Sequence, residues 1–187
     1  MAIFRFLLSK DALLLAFLLY VLFPAGAKAD WISSVKSDGV AYFFYDYPAR
    51  TDRYDLTDGQ WLSSISLPSI RGVVTCAHAD KDGIYVGYGR SIYRYSLDGL
   101  EEAHLLNVDS EVDEIFSNES FVYVVYGSKI VSFSKSDNGM ASTSTIGYYR
   151  GKGFSILGSG KRAFFVGSSN IYFLTLNEDG TLSLIHI

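Results

Sequence analysis

The chain has 187 residues and a formal net charge of −4, with 20 acidic against 16 basic side chains. It therefore carries no cationic excess with which to gather nucleic-acid phosphates. Tyrosine and phenylalanine number 14 and 13, proline only 3, and Cys76 is the single cysteine. Disorder and an internal disulfide framework are both excluded, and strands are favoured over helices.

Residues 1–29, "MAIFRFLLSKDALLLAFLLYVLFPAGAKA", begin with Arg5 and Lys10, run apolar from Ala12 to Phe23 and close on Ala27-Lys28-Ala29. This is the three-part layout of a secretory signal peptide. The apolar run of 12 residues is shorter than the roughly 20 that a spanning helix needs. Cleavage after Ala29 is expected, leaving 158 residues as one domain, no stable membrane span, and a secreted, periplasmic or cell-surface location.

Beyond the leader the chain repeats. Asp58-Gly59, Asp98-Gly99, Asn138-Gly139 and Asp179-Gly180 place their glycines 40, 40 and 41 residues apart. Such pairs favour two-residue hairpin turns, whose central positions need positive φ, and four at one period mark an internal repeat. "GRSIYRYSLDG", "GSKIVSFSKSDNG" and "SSNIYFLTLNEDG" put Ile92, Ile130 and Ile171 at spacings of 38 and 41. Upstream of each lies a second run, "GIYVGYG", "FVYVVYG" and "AFFVGSS".

Each unit reads as four short antiparallel strands. Runs such as "VAYFFY" do not alternate apolar with polar, as expected of strands covered on both faces. The predicted fold is all-β: a β-propeller of four-stranded blades of about 40 residues, with a β-sandwich as the rival. Blades are expected at 31–68, 69–108 and 109–149, with a partial fourth at 150–181 that stops at its third hairpin turn. Residues 182–187, "LSLIHI", look like a translated sequencing-adapter end, so the chain reads as the N-terminal part of a longer protein. The alternative is that "TLSLIHI" is the fourth strand of that blade.

"RYDLTDGQW", residues 53–61, resembles the third-strand, turn and fourth-strand segment of Kelch-type and quinoprotein-like propeller repeats. In those families a tyrosine or tryptophan, an acidic residue and a late tryptophan, here Tyr54, Asp55 and Trp61, help to lock neighbouring blades. "GIYVGYG" is similar to a Kelch second strand, but Tyr88 separates Gly87 from Gly89 where Kelch repeats have adjacent glycines. Nor do the later units have a counterpart of Trp61. The resemblance implies a secreted bacterial propeller.

Several stretches could carry chemistry. "CAHADKDG" puts Cys76, His78 and Asp80 on one face of a strand, where they could join in holding zinc or copper. No second Cys/His cluster completes that site, so a buried thiol, a hydrogen-bonded histidine and a turn aspartate are expected instead. "DKDG", Asp80 to Gly83, is also a scrap of a calcium loop, better read as a hairpin turn. "GKGFSILGSGKR", which includes Lys161, lacks phosphate-loop spacing. Asn118 in "NES" is a glycosylation sequon by pattern. Asp113 and Glu114 read as solvated loop charges, and Tyr42, Tyr45 and Tyr47 with Asp46 could stack on a sugar, although packing between blades is their default role.

No catalytic residue, metal site or cofactor is assigned, and the binding residues are left open. The function expected is a non-enzymatic exported binding or scaffold module for a protein or carbohydrate ligand. The alternative is a piece of an extracytoplasmic enzyme, a quinone-dependent dehydrogenase or a polysaccharide lyase, with its catalytic residues in blades outside this sequence.

Overall fold

The computed structural model describes residues 31–45, 49–67, 73–137, 139–145, 154–157, 161–166 and 171–186. The leader lies outside them, as do Asp46, Tyr47, Asn138 and half of "GKGFSILGSGKR". Sixteen strands and no helix occur among the described residues.

Four sheets follow one another along the chain. The first holds β1 (Trp31–Ser37), β2 (Val40–Tyr45), β3 (Arg50–Asp55) and β4 (Gln60–Ser66). The second holds β5 (Val74–Asp80), β6 (Gly83–Tyr88), β7 (Ser91–Tyr95) and β8 (Glu102–Asn107). The third holds β9 (Val112–Ser117), β10 (Phe121–Tyr126), β11 (Lys129–Ser134) and β12 (Met140–Thr145). The fourth holds β13 (Phe154–Leu157), β14 (Arg162–Val166), β15 (Ile171–Leu176) and β16 (Leu182–His186). Each sheet is an antiparallel meander in chain order. The first strands of successive sheets lie side by side, β1 against β5, β5 against β9 and β9 against β13.

Packing on two faces explains the unbroken apolar runs. In β6, Ile84, Val86 and Tyr88 pack toward the first sheet, whereas Tyr85 packs toward the third. In β10, Val122, Val124 and Tyr126 face the second sheet, while Phe121, Tyr123 and Val125 face the fourth. Every residue of these two strands is buried. A side chain of this size stabilises the fold by about 1.5–3 kcal/mol when fully buried, so a two-faced strand contributes far more than a half-solvated one.

The outer strands behave oppositely. Gln60 to Ser64 of β4 are exposed, and β4, β8 and β12 each carry a register shift against the strand inside them. Bulges of this kind twist an edge away from pairing with another chain.

Two expectations need correcting. The fourth sheet does have an outer strand: Leu182 to His186 pair with Tyr172 to Leu176 in unbroken register. The alternating Leu-Ser-Leu pattern suits a strand, and β15 supplies the neighbouring edge. The Asp-Gly pairs, moreover, are not two-residue turns with both central positions at positive φ. Asp55 pairs with Gln60 across a four-residue loop, and Tyr95 with Glu102 across a six-residue one. Only the glycines Gly59, Gly99 and Gly180 take positive φ there. Aspartate side chains shape these loops instead: Asp98 Oδ1 accepts the Leu100 amide at 3.0 Å and Asp179 Oδ1 the Thr181 amide at 2.9 Å. Among the described residues, the two-residue turn with both residues at positive φ is Asp38-Gly39, at 46° and 78°, between the paired residues Ser37 and Val40.

These loops also dock each sheet on the one before it. Gly99 has φ +76°, and a Cβ there would lie 2.4 Å from Ile65 Cγ2 of β4. Nearby, Arg53 Nη1 donates to Leu97 O at 2.6 Å. Between the third and fourth sheets the hydroxyls of Ser132 and Ser142 both donate to Gly180 O, at 2.8 and 2.9 Å.

Candidate functional site

The second and third sheets share a polar cluster at the end where β5 turns into β6. Strand alternation sends Ala77 and Ala79 toward the first sheet and Cys76, His78 and Asp80 toward the third. Sequence reasoning thus placed the three on one face correctly, yet their partners are residues it did not single out. His78 Nε2 lies 3.0 Å from Ser117 Oγ at the end of β9, and the Ser117 hydroxyl donates to Asp80 Oδ2. With its one proton committed to Asp80, Ser117 can only accept from the imidazole, so His78 carries its proton on Nε2. That polarity is the reverse of a histidine drawing a proton from a serine nucleophile.

Lys135, just after β11, completes the cluster. Its Nζ donates to Asp80 Oδ2 at 2.6 Å and to Asp82 Oδ2 at 2.9 Å, with the lysine side chain 8% and Asp80 14% exposed. The Asp82 amide donates to Asp80 Oδ1 at 2.8 Å, and Arg94 Nη2 donates to Asp82 O at 2.8 Å. "DKDG" is therefore a two-residue turn between Asp80 and Gly83, and its two carboxylates receive an ammonium group from the next sheet.

The electrostatics follow from this arrangement. Burial pushes the Asp80 carboxyl up, but hydrogen bonds from Lys135, Ser117 and the Asp82 amide outweigh it and hold the group below the usual carboxylate range. Burial takes His78 down to about 4, with Asp80 opposing and Lys135 assisting. Burial pushes the Cys76 thiol up to about 12, leaving it a neutral packing group. Among the described residues, no group of three or more His, Cys, Asp or Glu side chains is placed to hold a metal ion. The Tyr85 ring stacks on His78 with centroids 6.5 Å apart, and its buried hydroxyl has no hydrogen-bond partner among the described residues.

The remaining sequence candidates have other roles. Tyr42 is buried in the core between the first two sheets, and Tyr45 is buried beneath the Arg50 guanidinium, 4.5 Å from its ring centroid. Asp113 and Glu114 are not loop residues: both belong to β9, and Asp113 Oδ2 accepts the Gly127 amide at 2.8 Å. Asn118 forms a turn, its Oδ1 accepting from the Ser120 and Phe121 amides at 3.0 and 2.8 Å, and its Nδ2 donates to Tyr123 Oη at 3.2 Å. Lys161 pairs with Glu178 at 3.3 Å on the surface. Trp61, 44% exposed, meets Tyr54 edge-on at 5.1 Å and Phe43 at 5.7 Å, all three within the first sheet.

Open clefts lie between sheets, two of them formed by described residues. One of about 420 Å³, at the strand ends opposite the His78 cluster, is lined by Val73, Thr75, Tyr88, Arg90, Ser110 and Glu111 among others. The second, of about 370 Å³, lies between the third and fourth sheets and includes Glu119, Phe121, Lys161 and Glu178.

No family model matches the chain, and no curated protein matches it. Solved structures are similar in fold. The crystal structure of the computationally designed Ika4 protein aligns with a TM-score of 0.57 at 11% identity, over 88% of this chain and 96% of that one. The crystal structure of the computationally designed Ika8 protein aligns with a TM-score of 0.56 at 12% identity, over 87% of this chain and 60% of that one. At such identities the likeness defines a fold class, an all-β array of four-stranded antiparallel sheets, and nothing about activity.

Proposed function

We propose that the chain is an exported, non-enzymatic binding or scaffold module, a β-propeller whose blades are the four sheets and whose ligand is a protein or carbohydrate held at the strand ends. The side-by-side first strands and the second strands covered on both faces support the propeller reading. The layout of residues 1–29 supports export.

One observation carries the binding reading. The residues best suited to acid–base or metal chemistry, His78, Asp80 and Ser117, are spent on one another and on Lys135 between two sheets. The open cleft at the other strand ends instead presents Arg90, Ser110 and Glu111 beside the exposed Val73, a set suited to holding a polar ligand.

The test uses the full chain against a panel of oligosaccharides and peptides, followed by titration calorimetry on whatever binds. R90A combined with E111A is expected to weaken binding at least tenfold while leaving the melting temperature within a few degrees. Reproducible dye reduction on addition of quinone and calcium, or binding untouched by the double substitution, would overturn the proposal.

A further inference from the structure

The imidazole of His78 sits at a junction of two sheets, and the groups around it decide what a second proton would meet. Its own strand supplies Cys76 and Asp80, the following turn supplies Asp82, and β6 supplies the Tyr85 ring. Arg94 of β7 holds Asp82 O, and β9 supplies Ser117, with Asp113 and Glu114 closer to Cys76. Lys135 comes from the end of β11, and Tyr42 of the first sheet lies within electrostatic reach of Asp80. Asp80 is the carboxylate that could welcome an imidazolium. Its Oδ2 already holds both the Ser117 hydroxyl and the Lys135 ammonium. A charged His78 in the closed arrangement would therefore face an anion that is already neutralised, with a cation directly behind it.

We propose that this contact is an acid-released clasp, in which proton uptake by His78 in an open form separates Ser117 and Lys135 from the β5–β6 turn. Among the described residues, Ser117 and Lys135 supply hydrogen bonds that tie the two sheets at this end, so losing the His78–Ser117–Asp80–Lys135 chain loosens the β5–β6 turn without unpacking the cores around Val86 and Val124. A solvated imidazole titrates near 6.5, whereas burial takes the closed one to about 4. The open form thus binds up to one more proton across that window. Linkage then raises its population by about tenfold for each pH unit below roughly 6, until the closed form also titrates.

Amide-exchange protection factors of the full chain at pH 7, 6 and 5 test the proposal. Protection of the Asp82 and Lys135 amides is expected to fall by about tenfold per unit below pH 6, while Val86 and Val124 keep theirs. In H78Q the fall is expected to disappear. Ring-nitrogen NMR of the unmodified protein supplies a second readout if H78Q does not fold: His78 is expected to stay neutral, protonated on Nε2, at pH 5.5. A pH-independent Asp82 and Lys135, an equal loss in every sheet, an H78Q slope matching the parent, or a native His78 titrating near 6.5 would each overturn the clasp.

Discussion

Lys135 and Asp80, 55 positions apart, meet at 2.6 Å across the gap between the third and second sheets, with most of both side chains out of solvent. Removing one partner of such a pair strands the other charge in a poorly solvated site. Lys135→Met is accordingly expected to destabilise the protein by about 3–5 kcal/mol in urea unfolding. Adding Asp80→Asn to it should recover part of that loss. A double variant as unstable as the sum of the singles would show that the two residues do not interact.

The same pair sets a pH dependence distinct from that of His78. Because the folded Asp80 carboxyl is held below its ordinary value, its contribution is complete above roughly pH 4 and is lost as pH falls through the lower folded value. Stability measured from pH 5 down to pH 2 should therefore drop, and Asp80→Asn should flatten part of that drop. An unchanged profile in the variant would contradict the assignment.

Tyr85 offers a change in the opposite direction. Its hydroxyl is buried with no partner among the described residues, so it incurs a desolvation cost with nothing in return. Tyr85→Phe is expected to raise stability by about 1 kcal/mol. A loss of similar size on calorimetry would mean that the hydroxyl is satisfied, for example through a buried water.

Gly99 tests how one sheet docks on the previous one. Alanine there must take φ +76° and bring its Cβ to within 2.4 Å of Ile65. Gly99→Ala should lower stability by about 1–3 kcal/mol, and Ile65→Ala, which removes the Cγ2 atom, should relieve part of the clash. If Gly99→Ala is neutral, the Asp98-Gly99 loop does not rest on β4 as described.

Much of the architecture was legible in the chain. The 40-residue period of Asp-Gly pairs and the unbroken runs "GIYVGY" and "FVYVVY" point to repeated sheets with doubly covered second strands. Turn type was not legible, because an aspartate can shape a loop with its side chain as readily as by adopting positive φ, and Asp98 and Asp179 do the former. The face shared by Cys76, His78 and Asp80 follows from alternation alone. Their partners could not be read in that way, since Ser117 and Lys135 are brought in by packing of a sheet nearly 40 and 55 residues further on. Lys135 carries no local signal. A register comparison between repeats could have singled out Ser117, which ends its first strand just before the turn as Asp80 does in the unit before.

The His78–Ser117–Asp80–Lys135 cluster ties the second and third sheets together through its hydrogen bonds. A high-resolution crystal structure of the full chain, grown with calcium and zinc present, tests it most directly. The Lys135 ammonium is expected between Asp80 and Asp82, with Ser117 bridging to His78. An anomalous peak for a metal ligated by His78 and Asp80, with Lys135 displaced into solvent, would contradict it.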